Sequence, residues 1–572
     1  MVRSLAIGIG WLLCLVAAPA LSTVKIEGVS NGLERDVAAQ LGLSELDCDA
    51  PSWLVRWEYR EAEDDIAEAL QAVGYYDASI TKALDLNAPG CWLAKFSISL
   101  GEPVIVREVD VVVDEPLASE KLVKTRMASA AALRGQTLNH GSYEDLKRGL
   151  LEDARSLGYF DAKFTRSEVR VYAREHRAVV DLVLSGGERY MFGAVDIKGD
   201  VLEPRLLDVY IPFKAGDPYD ASLVAKLRRS LADSGYFKRS IVVVEEEDAV
   251  DRRIPIHIEL TPPDPAWTYS VGVGYATDTG PRLRLGADNR LVNRRGHRMA
   301  FKALLSPGSS SFDFEYRMPH KNPIDDWFIF DAGIAHLDTD TSTSDITRVG
   351  VRHTYPRWGW VESDFADLTH EDYKIAHEDG RSNLMLFGTT WTYVKRDQLV
   401  RPTHGYRIIA TLRGAAQVLG SDTNFGQLTV SGKYIYGLGE KTRVILRGDV
   451  GKTWKEQFDE LPPTVRFFAG GDTSIRGYAY QSIGPEQNSE VVGGSSLLVG
   501  SLELDYAFAP EWAVAAFVDS GSAYDDKPQF YTGVGAGIIY RSMVGPIRIY
   551  IGHPLEPENV EWRLAVVIGP DL

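Results

Sequence analysis

The sequence predicts a multidomain protein in which three small α+β domains are followed by a transmembrane antiparallel β-barrel of about 16 strands. Three features of the chain support this fold class. The N-terminus resembles an export signal, a helical stripe that ends in a glycine and an aromatic residue occurs three times before residue 262, and from Trp267 onward apolar and polar residues alternate with a period of two. At 572 residues, the chain is long enough for several independently folded units.

The composition favours strands and argues against one class of partner. The chain contains 26 Tyr, 12 Trp and 52 Gly, which is typical of strands with aromatic ends and tight turns. Its net charge of -18 argues against nucleic acid as a partner, because binding to phosphates relies on Lys and Arg. The 11 His show no metal-ligand spacing, and no catalytic or nucleotide-binding motif is present, so we expect no metal, no cofactor and no enzymatic reaction.

Residues 1–20 are predicted to be a signal peptide that is removed on export. Arg3 precedes an apolar run from Leu5 to Val16, and Ala18-Pro19-Ala20 supplies the small residues of a cleavage site. An uncleaved anchor is the alternative, but the run is shorter than the roughly 20 apolar residues that a spanning helix needs. Since no later stretch is long and apolar enough, the exported chain is either soluble in the periplasm or a β-barrel.

The two cysteines that follow the signal, Cys48 and Cys91, lie 43 positions apart in one predicted domain. Export to an oxidising compartment favours a disulfide between them. Two independent buried thiols are the alternative that the sequence leaves open.

The repeated motif predicts three domains of the same kind. Gly74, Gly158 and Gly235 are each followed by two aromatic residues, and Leu, Ile or Ala stands 4, 8 and 12 positions before each glycine. This spacing indicates a helix that ends at the glycine. A short alternating strand precedes each helix and two further strands follow it. The predicted domains span residues 24–104, 105–190 and 191–262.

Residues 267–572 are predicted to form the barrel. Between Trp267 and Tyr275 the odd-numbered residues are apolar or aromatic, and the even-numbered ones are small or polar. At about 19 residues for a strand and its connection, the 306 residues accommodate roughly 16 strands. A soluble β-sandwich would also alternate. Apolar faces that begin or end in Trp or Tyr, and connections that are long on alternate sides, favour a barrel in a membrane.

One motif carries a family resemblance. The stretch Val465–Tyr478, with Arg476-Gly477-Tyr478 at its end, resembles the sixth extracellular loop of the outer-membrane insertase and translocase superfamily that contains BamA, TamA and the two-partner-secretion transporters. The strand Phe517–Gly521 matches the family's Phe-x-Asp-x-Gly pattern. The resemblance implies that the loop folds into the barrel lumen and that Arg476 pairs there with acidic residues. Asp519 is the first expected partner and Glu503 the second, because a guanidinium can bind carboxylates bidentately.

Three repeats are similar to the TamA-like branch of this superfamily, and the repeats are then POTRA domains. This resemblance implies an outer-membrane location in a Gram-negative bacterium, with the POTRA domains in the periplasm. The implied partners are unfolded outer-membrane and autotransporter substrates, outer-membrane lipids and a TamB-like protein anchored in the inner membrane. The alternatives are a BamA-like general insertase and a passive porin or transporter whose arm only scaffolds a complex.

A mechanism for insertion also follows as a hypothesis. The barrel is expected to close by pairing its first strand with its last, and this seam could open to receive a substrate strand. Glycines weaken the first strand because they leave few side chains to reinforce it. The seam residues are predicted to be Gly272, Gly274, Leu564, Val566 and Ile568.

Overall fold

The computed structural model describes residues 24–277, 280–376, 378–399, 401–455, 458–542, 545–556 and 562–568. The predicted signal peptide, residues 1–20, lies outside the described residues. Among the described residues, no helix is both long and apolar enough to span a bilayer.

The first domain packs two helices on a three-stranded sheet. Its elements are β1 (Val24–Glu27), α1 (Asn31–Gln40), α2 (Ser52–Ala72), β2 (Ser79–Asp85) and β3 (Leu93–Ser99). Strand β3 is central, parallel to β1 and antiparallel to β2. Ile66 and Leu70 of α2 are fully buried with Phe96 of β3 in one core. Cys48 and Cys91 form a disulfide with a Cα–Cα distance of 5.0 Å, which ties the segment before α2 to the segment before β3.

The second and third domains repeat this sheet order. The second contains β4 (Ile105–Val113), α3 (Lys121–Ala130), α4 (His140–Ser156), β5 (Lys163–Tyr172) and β6 (Arg177–Ser185), in the order β4-β6-β5. The third contains β7 (Met191–Lys198), α5 (Pro204–Leu207), α6 (Ala221–Asp233), β8 (Arg239–Val244) and β9 (Arg253–Thr261), in the order β7-β9-β8. In each of the three domains, the strand that comes last in the chain lies at the centre of the sheet.

The repeated glycines end the helices as the sequence predicts. Gly74, Gly158 and Gly235 have φ angles of +94°, +89° and +71°. In the first two domains the amide of the following tyrosine donates to a carbonyl five residues back, at 2.9 Å for Tyr75 and 3.0 Å for Tyr159. This bond satisfies a carbonyl that the helix end would leave open, and the left-handed glycine makes it possible.

The barrel is a 16-stranded antiparallel sheet, so the predicted fold class is confirmed. Neighbouring strands of the sheet follow each other in the chain, and a long loop between β20 and β23 contains the short hairpin strands β21 and β22. The strands are β10 (Trp267–Ala276), β11 (Gly280–Asn289), β12 (Arg298–Leu305), β13 (Ser309–Pro319), β14 (Trp327–Asp338), β15 (Ser342–Arg357), β16 (Trp360–Ile375), β17 (Glu378–Arg396), β18 (His404–Ala415), β19 (Phe425–Leu438), β20 (Thr442–Trp454), β21 (Glu486–Gln487), β22 (Glu490–Val491), β23 (Ser496–Ala507), β24 (Trp512–Tyr524), β25 (Tyr531–Ser542), β26 (Gly545–Pro554) and β27 (Arg563–Ile568).

The two faces of the barrel strands differ in chemistry. In β23, Leu502 and Leu504 are exposed on the outside, whereas Glu503 and Asp505 between them are buried on the inside. Carboxylates on the inner face and aliphatic side chains on the outer face are the arrangement that a lipid-embedded barrel with a polar lumen requires. The strand alternation read from the sequence therefore corresponds to a lipid face and a lumen face.

Candidate functional site: the loop clasp and the barrel seam

The loop between β20 and β23 folds back on itself and buries apolar side chains. Backbone hydrogen bonds pair Phe467 with Gly494 and Ala469 with Ile483. Ile475, one residue before the predicted arginine, is completely buried in a cluster that includes Val499 of β23. A loop with its own apolar packing holds a single conformation, and this fixes the position of its tip.

Arg476 lies at the centre of the predicted clasp and contacts both expected carboxylates. Its Nε and Nη2 donate to the two carboxylate oxygens of Asp519 at 2.7 and 2.8 Å, and Nη1 donates to Glu503 at 2.5 Å. The Arg476 backbone amide donates to Asp519 as well, at 3.0 Å. The side chains of Arg476, Asp519 and Glu503 are 7%, 0% and 8% exposed, so the ion pairs are withdrawn from water.

Three further side chains complete this pocket, and the sequence prediction did not include them. Ser501 accepts a hydrogen bond from Arg476 Nη2 at 3.2 Å. The guanidinium carbon of Arg476 lies 3.5 Å from the ring centroid of Phe517 and 4.7 Å from that of Tyr550. The Tyr550 hydroxyl donates to the second oxygen of Glu503 at 2.8 Å. Aromatic rings and carboxylates together stabilise the desolvated cation.

Two of these three could have been found from the sequence, and one of them is Ser501, which stands two positions before Glu503 and therefore shares its face of the strand. Phe517 is the first residue of the Phe-x-Asp-x-Gly strand and shares a face with Asp519. Tyr550 reaches the pocket because β26 lies two strands away from β24, and that depends on the register of the sheet.

Glycines bring the loop tip against the barrel wall. Gly477 has a φ of +101°, and a Cβ there would lie 3.1 Å from the backbone between His553 and Pro554. A Cβ at Gly533 would overlap the carbonyl oxygen of Arg476, and one at Gly552 would lie 2.9 Å from the Gly477 nitrogen. The alternating glycines of β25 and β26 therefore permit the close backbone approach that the clasp needs.

Tyr478 also joins the loop tip to the barrel wall, through contacts that differ from those of Arg476. Its hydroxyl lies 3.2 Å from the carbonyl oxygen of Thr532 and 2.6 Å from that of Glu556. The Glu556 carboxylate accepts a hydrogen bond from the Thr532 amide at 2.9 Å. The predicted trio Arg476-Gly477-Tyr478 thus has three different contacts: a cation in a carboxylate pocket, a close backbone approach and a hydroxyl at the top of β25.

Arg466, ten residues before the tip, has a different environment. Its Nε donates to the Leu461 carbonyl at 2.8 Å, and its Nη1 donates to the Val492 carbonyl at 3.1 Å. Both acceptors belong to the same loop, so Arg466 stabilises the loop internally, whereas Arg476 joins the loop to the barrel wall.

The loop also contacts the seam between the first and last strands. Asp472 accepts a hydrogen bond from the Thr277 hydroxyl at 2.8 Å, at the end of β10. The same hydroxyl oxygen accepts a hydrogen bond at 3.3 Å from the Val566 amide of β27. Thr277 therefore connects the loop, the first strand and the last strand through one side chain.

The predicted seam residues lie on these two strands. Strands β10 and β27 stand at the two ends of the sheet order, and within the described residues no backbone ladder joins them, unlike the other neighbouring strands. A Cβ added at Gly274 would have nothing within 4 Å, and Gly272 would contact only the Arg284 side chain. Leu564 is half exposed and Val566 is partly buried, and Ile568 is the last residue of β27.

The lumen beside the clasp contains a polar cavity of about 390 Å³. Cationic and acidic side chains share its wall, and they include Arg407, Lys433, Arg447, Asp449, Asp472, Arg476, Glu503 and Arg548. The loop tip therefore borders a charged internal space and is not embedded in an apolar core.

Comparison with known protein families agrees with this architecture. The Omp85 superfamily domain matches residues 294–563, and the POTRA domain TamA domain 1 matches residues 23–100. The family described as surface antigen variable number repeat, a POTRA family, matches residues 190–262. The chain belongs to the Omp85 superfamily. Together with the fold, this membership places the barrel in the outer membrane and the POTRA domains in the periplasm.

The relatives of this Omp85 chain are distant. The outer membrane protein assembly factor BamA of Nitratidesulfovibrio vulgaris is 24% identical over 437 residues, covering 70% of the chain and 53% of that relative. The BamA of Neisseria meningitidis serogroup B is 21% identical over 426 residues, covering 62% of the chain and 53% of that relative. The chain thus matches about half the length of these two relatives.

A solved structure shares the fold. The crystal structure of BamA from Haemophilus ducreyi lacking POTRA domains 1–3 superposes with a TM-score of 0.67 at 15% identity. The match covers 81% of this chain and 99% of that one. The common architecture is a nearly closed 16-stranded barrel preceded by POTRA domains.

Proposed function

We propose that this protein assembles or translocates β-barrel proteins at the outer membrane, in a TamA-like role that includes autotransporter substrates. Unfolded substrates enter from the periplasm, and a TamB-like protein anchored in the inner membrane contacts the POTRA arm. No enzymatic step is part of the proposal, since folding of the substrate into the lipid supplies the free energy. The named relatives support assembly in general, and the match of the first POTRA domain to the TamA model supports the TamA-like role.

The seam is the observation that carries the proposal. Within the described residues, β10 and β27 are joined through the Thr277 hydroxyl, whereas the neighbouring barrel strands elsewhere share continuous ladders. A strand edge with free backbone groups is a template for another strand. Opening at this seam would expose two such edges to a substrate strand.

The outer surface of β10 suits contact with lipid and substrate. Tyr269, Val271 and Val273 are 74%, 73% and 83% exposed, and all three lie on the same face. A wide apolar face on a strand with glycines between its large residues is easily displaced, because few side-chain contacts must be broken.

The arm offers sheet edges for extended substrates. In the first domain β1 and β2 are the edge strands, and in the second domain β4 and β5 are. Such edges bind extended peptides by β-augmentation through main-chain hydrogen bonds. We propose that the arm receives substrate in this way before the seam does.

The occupied lumen argues against a passive porin. The clasp places Arg476 and the loop tip against the inner wall, where an open pore would hold water. Single-channel recordings of the purified chain should therefore show a mostly closed, fluctuating conductance. A large steady conductance would favour the porin.

A reversible lock across the seam tests the proposal. Tyr275→Cys and Val566→Cys place one cysteine on the outer face of each strand beside the bond at Thr277, and a short bifunctional reagent that contains a disulfide joins them, with the same reagent used for the control pair. With the cross-link formed, the rate at which vesicles containing the full chain fold an added β-barrel client should fall by at least about tenfold, and reduction should restore it.

The matched control is a lock elsewhere on the lipid face. Ala410 and Val430 are paired across the continuous β18–β19 ladder, so Ala410→Cys with Val430→Cys should leave the rate unchanged. An unchanged rate in the seam-locked protein would overturn the seam proposal. Co-purification from the cell envelope then distinguishes the two branches, since a TamB-like partner in the eluate supports the TamA-like role and a BamA-type complex contradicts it.

A further inference from the structure

Two histidines and an aspartate meet on the barrel at a distance from the clasp and the seam. His320 and Asp326 flank the turn between β13 and β14, and His353 lies near the end of β15. Strands β13 and β15 end, and β14 begins, at the end of the barrel where β10 starts. This cluster therefore lies at the periplasmic rim.

The ligating atoms of the three residues converge. His353 Nε2 lies 2.8 Å from Asp326 Oδ1, and His320 Nδ1 lies 3.4 Å from Asp326 Oδ2. The three ligand atoms all lie within 4.8 Å of one another. Tetrahedral zinc sites hold their ligands about 2.0–2.2 Å from the ion, which places neighbouring ligand atoms about 3.3–3.6 Å apart. The His320–Asp326 distance already has this spacing.

Aromatic packing and a tight turn hold both imidazoles in place. The His353 ring stacks on Phe328 with centroids 4.4 Å apart, and the His320 ring meets the edge of Phe328 at 5.0 Å. The His320 amide donates to the Asp326 carbonyl at 2.9 Å, which closes the turn. Ligands that are fixed before binding lose little entropy when a metal arrives.

One ligand atom of the cluster has no hydrogen bond among the described residues. His320 Nδ1 is buried, and in the described residues it has no hydrogen-bond partner, although it faces a carboxylate oxygen. The Asp326 side chain is only 11% exposed. A buried polar atom without a partner costs free energy, and a cation between His320 and Asp326 would remove that cost.

We propose that His320, Asp326 and His353 form a binding site for a divalent transition-metal ion such as Zn²⁺. Two imidazole nitrogens and a carboxylate oxygen suit zinc, whereas calcium and magnesium prefer oxygen ligands alone. The two histidines are 37% and 28% exposed, which leaves a side open for water as a fourth ligand. The bound ion cross-links the β13–β14 turn to β15 and thereby fastens the periplasmic rim.

The spacing of the histidines along the chain does not indicate this site, and from it we expected no metal. The ligands are six and 27 positions apart, and a turn and a strand pairing bring them together. The plain alternative is an Asp326 carboxylate that bridges two histidines without a metal, and it makes the opposite prediction about zinc binding.

Zinc binding to the full chain in detergent micelles tests the proposal. The protein carries a purification tag without histidine, and equilibrium dialysis followed by elemental analysis measures bound Zn²⁺. The wild type should bind one tight equivalent. His320→Ala and His353→Ala should each weaken binding by more than the roughly tenfold loss that follows removal of an outer-shell partner.

The chain offers a matched control on the same pair of strands. His336 Nδ1 of β14 lies 2.8 Å from Asp345 Oδ1 of β15, so His336 is also a histidine beside a carboxylate. Among the described residues, this pair does not belong to a group of three side chains close enough to bind one metal ion. His336→Ala should retain the tight equivalent. Loss of binding in His336→Ala equal to that in His353→Ala, or a wild type that binds no more tightly than His320→Ala, would overturn the proposal.

Each variant is also tested for resistance to unfolding by a denaturing detergent at room temperature. A variant that stays folded but binds less Zn²⁺ has lost the site and not its structure. Co²⁺ in place of Zn²⁺ gives visible absorption bands that report nitrogen and oxygen ligands directly. Bands in the wild type that persist in His353→Ala would also contradict the site.

Discussion

The clasp and the seam are built in opposite ways within one barrel. At the clasp, one arginine is held by two carboxylates, two aromatic rings and a serine, and glycines bring the backbone of the loop against the wall. At the seam, the described residues share a bond through the Thr277 hydroxyl, and Gly274 faces open space. In the proposed mechanism, the loop and the strands β23–β26 are the rigid wall against which the weakly held first strand moves.

The largest effect is expected from removing the cation of the clasp. Arg476→Ala leaves Asp519 and Glu503 buried without their counter-ion, and breaking a buried pair in this way costs about 3–5 kcal/mol. We expect a comparable fall in the free energy of unfolding, measured by urea titration in detergent.

Arg466→Ala is the control in the same loop, because the arginine's Nε and Nη1 donate to neutral carbonyl groups of the loop and not to the carboxylates of the clasp, Asp519 and Glu503. Arg476→Lys retains the charge but loses the bidentate bond to Asp519, so it should fall between the wild type and Arg476→Ala. Equal losses for Arg476→Ala and Arg466→Ala would contradict the role of the clasp.

A second prediction compares two glycines, one in each region. Gly533→Ala places a methyl group against the Arg476 carbonyl and should destabilise the barrel by about 1–3 kcal/mol. Gly274→Ala meets nothing within 4 Å and should be neutral or slightly stabilising, because alanine restricts the unfolded chain. The two variants should be compared in the same unfolding titration, and similar losses would remove the distinction between the regions.

A third prediction isolates one hydrogen bond of the clasp. Tyr550→Phe removes the hydroxyl that donates to Glu503 and keeps the ring beside Arg476. A hydrogen bond to a charged group contributes about 1.5–3 kcal/mol, so the loss should be smaller than that of Arg476→Ala. A double-mutant cycle of Tyr550→Phe with Arg476→Ala should show coupling, since both act through Glu503. Additive losses would mean that the two groups act independently.

The smallest change in the free energy of unfolding is expected for a substitution at Thr277, and the same substitution should increase opening of the seam. Thr277→Val keeps the shape of the side chain but can neither donate to Asp472 nor accept from Val566. The free energy of unfolding should change by no more than about 1 kcal/mol, whereas a fluorophore pair across β10 and β27 should report a more open seam. Thr411→Val in β18 is the control, and an equally large change in that variant would refute the role of Thr277.

The sequence predicted those parts of the molecule that depend on local pattern. The contacts of Arg476 were expected from the resemblance of its loop motif to a family motif, and in the structure the arginine binds Asp519 and Glu503. The three helix-ending glycines and the alternation from Trp267 onward were visible as spacing, and each has a corresponding feature in the structure. Local periodicity reports which face of an element is buried, so these features need no knowledge of distant residues.

The remaining features depend on strand register and on contacts between distant residues. Thr277 meets Asp472 across 195 positions, and Tyr550 meets Glu503 across 47. The zinc ligands proposed at the rim require β14 and β15 to pair with Phe328 opposite His353. A one-residue change of register would turn any of these side chains to the other face, so no local pattern could have specified them.

Photo-crosslinking of a client during insertion tests the seam most directly. A photoreactive amino acid is placed at Val273 in β10, and at Leu412 in β18 as a control, because both side chains lie exposed on the outer face of the barrel. The account predicts that a β-barrel client arrested during assembly forms adducts at position 273 and few at position 412. Equal adducts at both positions, or adducts at position 412 alone, would contradict substrate entry at the seam.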